Sequence, residues 1–490
     1  MLFRTLLFVT VFLPLVLASC WGCERILRAL GRKPWPALNA IILIYSLVFY
    51  FWGEGKGVVW LCASIAFNDV AARVIARVGR QSTRKAALAM AVAGNLAFLG
   101  WFKYAGFAAS AINLLPGVDI PIPRIALPLG ISFYTFQAMS YVIDVWRRDV
   151  TPSPTPLGFA CYIAMFPQLV AGPIVRYSDI AAELQKRSTP LARRISGMRR
   201  FLLGLAKKAV IANTVAAFAD AAWAYADKGQ ALPVDMAWLA VTAYALQIYY
   251  DFSGYSDMAI GIGRMLGFDF PENFRHPYAS TSVREFWRRW HISLSTWFRD
   301  YLYIPLGGNR RGLARTCFNS LVVFALCGLW HGADKMFLIW GLWHGFFLTA
   351  ERLLTTRGGG GAVAPASATM RVAGFIYTAA VFLAGWVLFR SEGIKSAWTM
   401  FASLVGAVEP ARQTMLLYVD AAPKLWIAMA LGLLFAYPVV PRIRAALARR
   451  FGADSALEEL ISWLAVTVGA ALALLFLAGG SYNPFIYFRF

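Results

Sequence analysis

The chain has 490 residues, and 59% of them are apolar before glycine is counted, whereas a soluble domain reaches about 45–50% with glycine included. Only 15% are charged, yet 47 lysines and arginines stand against 25 aspartates and glutamates, a formal charge of +22. The apolarity excludes a water-soluble globular fold; in such a chain the basic excess reflects Lys and Arg retained in cytoplasmic loops during insertion, not nucleic-acid binding.

A bilayer crossing takes about 20 predominantly apolar residues. Runs of that kind lie near 2–23, 36–53, 57–76, 86–109, 156–175, 201–225, 234–262, 370–390, 423–440 and 461–480. Shorter apolar pieces near 125–145, 316–331 and 336–350 read as re-entrant or tilted segments. The pattern predicts an all-α polytopic membrane protein with roughly 10–12 transmembrane helices plus re-entrant and interfacial helices. Met1 to Cys20 imitates a secretory signal, and Leu17-Ala18-Ser19-Cys20 resembles a lipoprotein cleavage box, but the many spans that follow favour a first helix that stays attached. Cys20, Cys23, Cys62, Cys161, Cys317 and Cys327 fall mostly in apolar segments, as buried thiols do. Cys20 and Cys23 form a C-x-x-C with no second pair to complete a metal site. No metal is expected.

The basic stretches Arg25 to Lys33, Arg73 to Lys85, Arg147 to Arg148, Lys186 to Arg200, Arg310 to Arg315 and Arg442 to Arg450 are expected in the cytoplasm. The intervening segments 53–56 and 110–123 then face outside, as do both termini. Composition divides the chain into a functional membrane core (1–355), a Gly-rich linker (356–368) around Gly358-Gly359-Gly360-Gly361, and a C-terminal helical section (369–490).

Chemistry concentrates in the core. All four histidines, His276, His291, His331 and His344, fall between residues 276 and 344, and an imidazole can take a proton near neutral pH. His331 ends a short apolar run in Gly328-Leu329-Trp330-His331-Gly332, with Asp334 and Lys335 just beyond. Two short runs meeting at a histidine suggest a membrane break lined by protein or water; the alternative is a structural interfacial histidine. The same pentapeptide recurs at 341–345, where His344 has no adjacent charge and reads as a supporting residue. His291 lies in Arg284-Glu285-Phe286-Trp287-Arg288-Arg289-Trp290-His291-Ile292-Ser293-Leu294-Ser295-Thr296-Trp297-Phe298, which at helical spacing reads as one interfacial helix with an aromatic face. Arg288 and Arg289 there suit lipid phosphates or the phosphates of an acyl carrier equally. Asp251 and Asp257 could instead form a transporter's ion site, the main alternative from another class.

Ile248 to Gly267 with Pro271-Glu272-Asn273-Phe274, then Glu285 to His291 with Phe298-Arg299-Asp300-Tyr301, then Gly328 to Gly332, resembles the membrane-bound O-acyltransferase family. The likeness extends to Leu129-Gly130-Ile131-Ser132-Phe133-Tyr134-Thr135-Phe136-Gln137, Phe166 to Ile174, and Asn483-Pro484-Phe485-Ile486-Tyr487-Phe488-Arg489-Phe490. It looks most like the branch that acetylates alginate and other cell-envelope polysaccharides. The resemblance implies helices around a central tunnel through a thinned membrane centre, with His331 as the catalytic histidine and His291 as the second motif position. It implies an O-acyltransferase that passes acetyl groups from a cytoplasmic donor, acetyl-coenzyme A, to an exported polysaccharide such as alginate; D-alanyl transfer to teichoic acid is the related alternative. On this reading Arg288, Arg289, Trp290 and Arg299 meet the donor, while His344, Trp330 and Asp257 support the site. No bound cofactor is expected. The partners are membrane lipids, an extracytoplasmic esterase-like acetyltransferase and the polysaccharide, and the location is the cell membrane.

Overall fold

The structure, a computed structural model, describes residues 5–123, 125–357, 367–451 and 456–480. Helices with connecting turns and loops make up all of these, with no strand among the described residues. The protein is an all-α, polytopic membrane protein. Seven helical stretches among the described residues are long and apolar enough to cross a bilayer, or eight if the bent pair Arg412–Asp420 and Pro423–Ala436 is one span.

That number is below the ten to twelve expected, for three physical reasons. The stretch Trp35–Arg77 holds two helices, Trp35–Glu54 and Val58–Arg77, on either side of a one-turn segment, and each is about 30 Å long, one bilayer thickness. Val234–Leu266 runs 33 residues but carries Asp251, Asp257 and Arg264 and is buried along most of its length, so protein and not lipid surrounds its two carboxylates. The third reason corrects an expected span: 156–175 does not form a single crossing helix. It folds as Pro156–Ala164 and Phe166–Leu169, interrupted at Met165, followed by non-helical backbone. Pro167 and Pro173 cannot donate to a helical ladder, and irregular backbone at membrane depth survives where protein covers it; every residue from Met165 to Val175 is buried. Of the cysteines, Cys20, Cys161 and Cys327 are buried, Cys23 and Cys317 are half-buried, and Cys62 is exposed; all are free thiols.

The chain forms two compact units: residues up to Phe201 with Tyr255–Glu272, and Leu202–Gly254 with Asn273 onward. Residues 358–366 of the Gly-rich linker and the terminal segment Asn483 to Phe490 lie outside the described residues. In the first unit, Asn68 and Asn95 exchange amide hydrogen bonds of 3.1 and 2.7 Å between neighbouring helices. Arg200 donates to Asp257 at 2.7 Å and to Glu272 at 2.9 Å, so Asp257 is committed to an ion pair.

Asp251, in the second unit, is likewise committed. It lies 2.6 Å from Lys208, with both side chains almost fully enclosed (1% and 2% exposed). The lysine stands in a π-helical turn, Lys207–Ala212. Removing one partner of such a pair leaves a buried uncompensated charge and costs about 3–5 kcal/mol. Lys208→Met therefore lowers the thermal unfolding temperature of the purified protein sharply, and Lys208→Met/Asp251→Leu recovers most of the loss. A Lys208→Met protein as thermally stable as the wild type contradicts the buried pair.

Candidate active site

The helices Leu313–His331 and Lys335–Arg357 pack antiparallel over most of their length. The repeated Gly-Leu-Trp-His-Gly explains how they come so close. A Cβ added at Gly328 would sit 2.1 Å from the Phe337 carbonyl oxygen, and one at Gly341 would sit 2.2 Å from that of Phe324. The leading glycine of each pentapeptide is thus a crossing point, the close approach that small residues permit between membrane helices.

His331 is the last residue of its helix, ended by the extended backbone of Gly332. Asp334 starts the next helix by accepting a 2.7 Å hydrogen bond from the Met336 amide. The break anticipated at the histidine is therefore a three-residue hairpin turn. Around His331 stand Trp330, Trp340 and Phe389, with centroids at 4.9, 5.1 and 5.2 Å and all three nearly perpendicular to the imidazole. His291 meets Trp330 from elsewhere, centroid to centroid 6.0 Å, so one indole touches both histidines. His344 adjoins Trp340 and Trp287, each at 5.2 Å. Three of the four histidines therefore share one aromatic cluster, His331 being 7% exposed and the other two 1% or less.

The segment around His291 departs from the expected single interfacial helix. Two short helices form, Val283–Arg289 and Ile292–Phe298, and His291 between them takes a left-handed conformation, φ 41°. Such a φ is uncommon outside glycine and costs of order 1–3 kcal/mol, offset by the surroundings. Asn273 supplies the anchor: its backbone carbonyl accepts from the Ile292 amide at 3.0 Å, and its Oδ1 accepts from the Ser293 amide at 3.2 Å and the Ser293 hydroxyl at 2.9 Å. The aromatic face is protein core, with Phe286, Trp287, Trp290, Leu294, Trp297 and Phe298 all buried.

Asn273 also fixes the proton on His291. Because the Ser293 backbone N–H identifies Oδ1 as an acceptor, the ring nitrogen 3.2 Å from it, Nδ1, must be the donor. Nε2 then carries the lone pair, and it has no hydrogen-bond partner among the described residues. The stretch holding His291 lies outside the membrane-length helices, and burial pushes its pKa down to about 3. It is neutral throughout the physiological range, with Nε2 able to accept but not to donate.

This geometry sits within a chain of clear kinship. The description of the membrane-bound O-acyltransferase family matches residues 147–389. A probable alginate O-acetylase of Azotobacter vinelandii is 39% identical over 82% of this chain and 78% of its own; that of Pseudomonas putida is 35% identical over the whole of both. A peptidoglycan O-acetyltransferase of Helicobacter pylori is 34% identical over 83% of this chain and 80% of its own. The chain belongs to the membrane-bound O-acyltransferase family. It is an O-acyltransferase.

Within this acyltransferase, the structure gathers His331, His291, Trp330 and His344 into one cluster. Trp290 is a core ring, stacked at 5.6 Å on Phe286 with the planes 13° apart. Arg289 pairs with Glu285 at 2.6 Å and Arg299 with Asp300 at 2.6 Å, while Arg288 is exposed. Asp257 belongs to the first unit and holds Arg200. Sequence reasoning missed Asn273, Trp340 and Phe389 as site residues. Asn273 stood in the Pro-Glu-Asn-Phe motif, but nothing local ties it to a histidine 18 positions on.

Asn273→Ala removes the acceptor from both His291 Nδ1 and Ser293. Losing a partner that orients a functional imidazole typically costs about 10- to 100-fold. Acyl transfer falls by that factor, and Asn273→Asp, which retains an acceptor oxygen, recovers part of it. Since His291 protonates only near pH 3, the wild-type pH–rate profile between pH 5 and 8 carries no inflection from it.

Proposed function

We propose that this O-acyltransferase passes acetyl groups from acetyl-coenzyme A on the cytoplasmic side to an exported polysaccharide such as alginate. The observation that carries the reading is the pair His331 and His291, both packed against the Trp330 indole, in a chain 39% identical to a probable alginate O-acetylase. His331 takes the proton of the attacking hydroxyl as its oxygen bonds to the thioester carbonyl carbon. The C–S bond then breaks, and the imidazolium returns the proton to the departing thiolate. His291, with Nε2 accepting, positions an N–H or O–H of the donor arm. Arg288, which is exposed, contributes positive charge toward the donor phosphates, and Arg289 and Arg299 reach them while sharing the carboxylates of Glu285 and Asp300.

The immediate acceptor is a serine hydroxyl of an extracytoplasmic esterase-like partner, which hands the acetyl group to the polymer. The protein lies in the cell membrane with both termini outside the cytoplasm, and a reporter fused after Phe490 that proved cytoplasmic would reverse that orientation.

Mass spectrometry of the envelope polysaccharide from cells with and without the gene tests the substrate. Loss of O-acetyl groups from the polymer supports the proposal. Unchanged acetylation with loss of D-alanyl esters from teichoic acid would replace acetyl with D-alanyl transfer.

A further inference from the structure

A cleft of about 530 Å³ in the first unit is lined by none of the residues assigned to acyl transfer. Its lining includes Trp21, Glu24, Arg25, Arg28, Thr189 and Arg194, three guanidinium groups against one carboxylate. Most of this lining has a reason within the fold. Glu24 is buried and accepts from Arg28 at 2.9 and 3.1 Å, from Arg194 at 3.3 Å and from the Thr189 hydroxyl at 2.5 Å. Arg194 lies over the Trp21 ring, 4.6 Å from its centroid, and the Trp21 indole N–H donates to the Met265 carbonyl at 3.1 Å.

Arg25 has no such reason. It is exposed and makes no ion pair or side-chain hydrogen bond with any described residue. Its surroundings indicate what it waits for. The cleft opens at the basic end of Phe8–Ala29, a stretch long and apolar enough to cross a bilayer, which places it at the level of lipid headgroups.

We propose that this cleft binds the phosphodiester headgroup of an anionic phospholipid, with Arg25 as its principal contact. Arg28 and Arg194, held in place by Glu24, complete a planar-donor cradle suited to phosphate oxygens. Basic pockets between membrane helices recognise headgroups in this way. The net positive charge of the lining favours a lipid with net negative charge over a zwitterionic one.

The test is native mass spectrometry of the full-length protein, purified in detergent and offered phosphatidylglycerol or phosphatidylcholine of matched chains. We expect phosphatidylglycerol to be retained at least about tenfold more strongly. Arg25→Gln weakens its retention about fivefold, and Arg25→Gln/Arg28→Gln about 25-fold, at roughly fivefold per guanidinium near an anionic headgroup. Arg80→Gln, an exposed arginine away from the cleft, changes nothing. If the double variant misfolds, Arg25→Gln alone decides, because its side chain supports no other group. Equal retention of the two lipids, or an Arg25→Gln protein that behaves like Arg80→Gln, overturns the assignment. Displacement of phosphatidylglycerol by millimolar inorganic phosphate also overturns it, in favour of a site for free anions.

Discussion

Replacing His331 with alanine leaves the protein in the membrane and lowers acyl transfer about 100- to 10,000-fold, the usual cost of removing a general base. Packing alone gives a smaller effect, and His331→Leu separates the two. Leucine fills much of the space among Trp330, Trp340 and Phe389 but cannot take a proton, so it loses as much activity as alanine while holding more stability. His344→Leu is the contrasting change. Neither ring nitrogen of His344 has a hydrogen-bond partner among the described residues, and its neighbours are the rings of Phe286, Trp287 and Trp340. A packing residue of this kind costs less than about tenfold in activity when replaced by a side chain of similar volume. Acyl transfer measured at matched membrane levels checks all three variants.

Gly341→Ala carries the second large effect. The new methyl group would meet the Phe324 carbonyl oxygen at 2.2 Å, and backbone cannot rotate aside as a flexible side chain can. The two helices must separate by about 1 Å to reach normal contact. Overpacking of this kind costs about 1–3 kcal/mol, and a misplacement of about 1 Å at a reacting group costs about 100-fold in rate. His331 lies three residues beyond Gly328, the corresponding crossing point on the partner helix, so both penalties apply. Gly328→Ala behaves alike, whereas Gly100→Ala, whose added Cβ meets nothing within 4 Å, leaves unfolding temperature and activity near wild type.

The histidine at the helix break was legible because the signals were local: a short apolar run, then Gly332, then Asp334 capping a second helix. The repeated pentapeptide was visible too, but it drew attention to its histidines. Its glycines carry the packing, and the Gly-x-x-x-Gly spacing at 328–332 and 341–345 is the signal that could have shown it. The segment 284–298 misled because Phe286, Trp287, Trp290 and Leu294 fit one continuous helix. Its break at His291 is imposed by Asn273, a tertiary anchor that no local periodicity encodes. The span expected at 156–175 failed for a related reason: hydropathy reports burial, and buried protein core reads like lipid contact. Arg289 and Arg299 illustrate a further limit, since sequence shows a cationic cluster but not the carboxylates of Glu285 and Asp300 that accompany it.

The most direct test uses inverted membrane vesicles from producing cells, cytoplasmic face outward, supplied with acetyl-labelled coenzyme A. If His331 is the point where an acyl group leaves its carrier, label accumulates as ester inside the vesicles, the free thiol stays outside, and His331→Ala vesicles accumulate none. Label entering His331→Ala vesicles at the wild-type rate, or coenzyme A itself appearing in the lumen, contradicts the account.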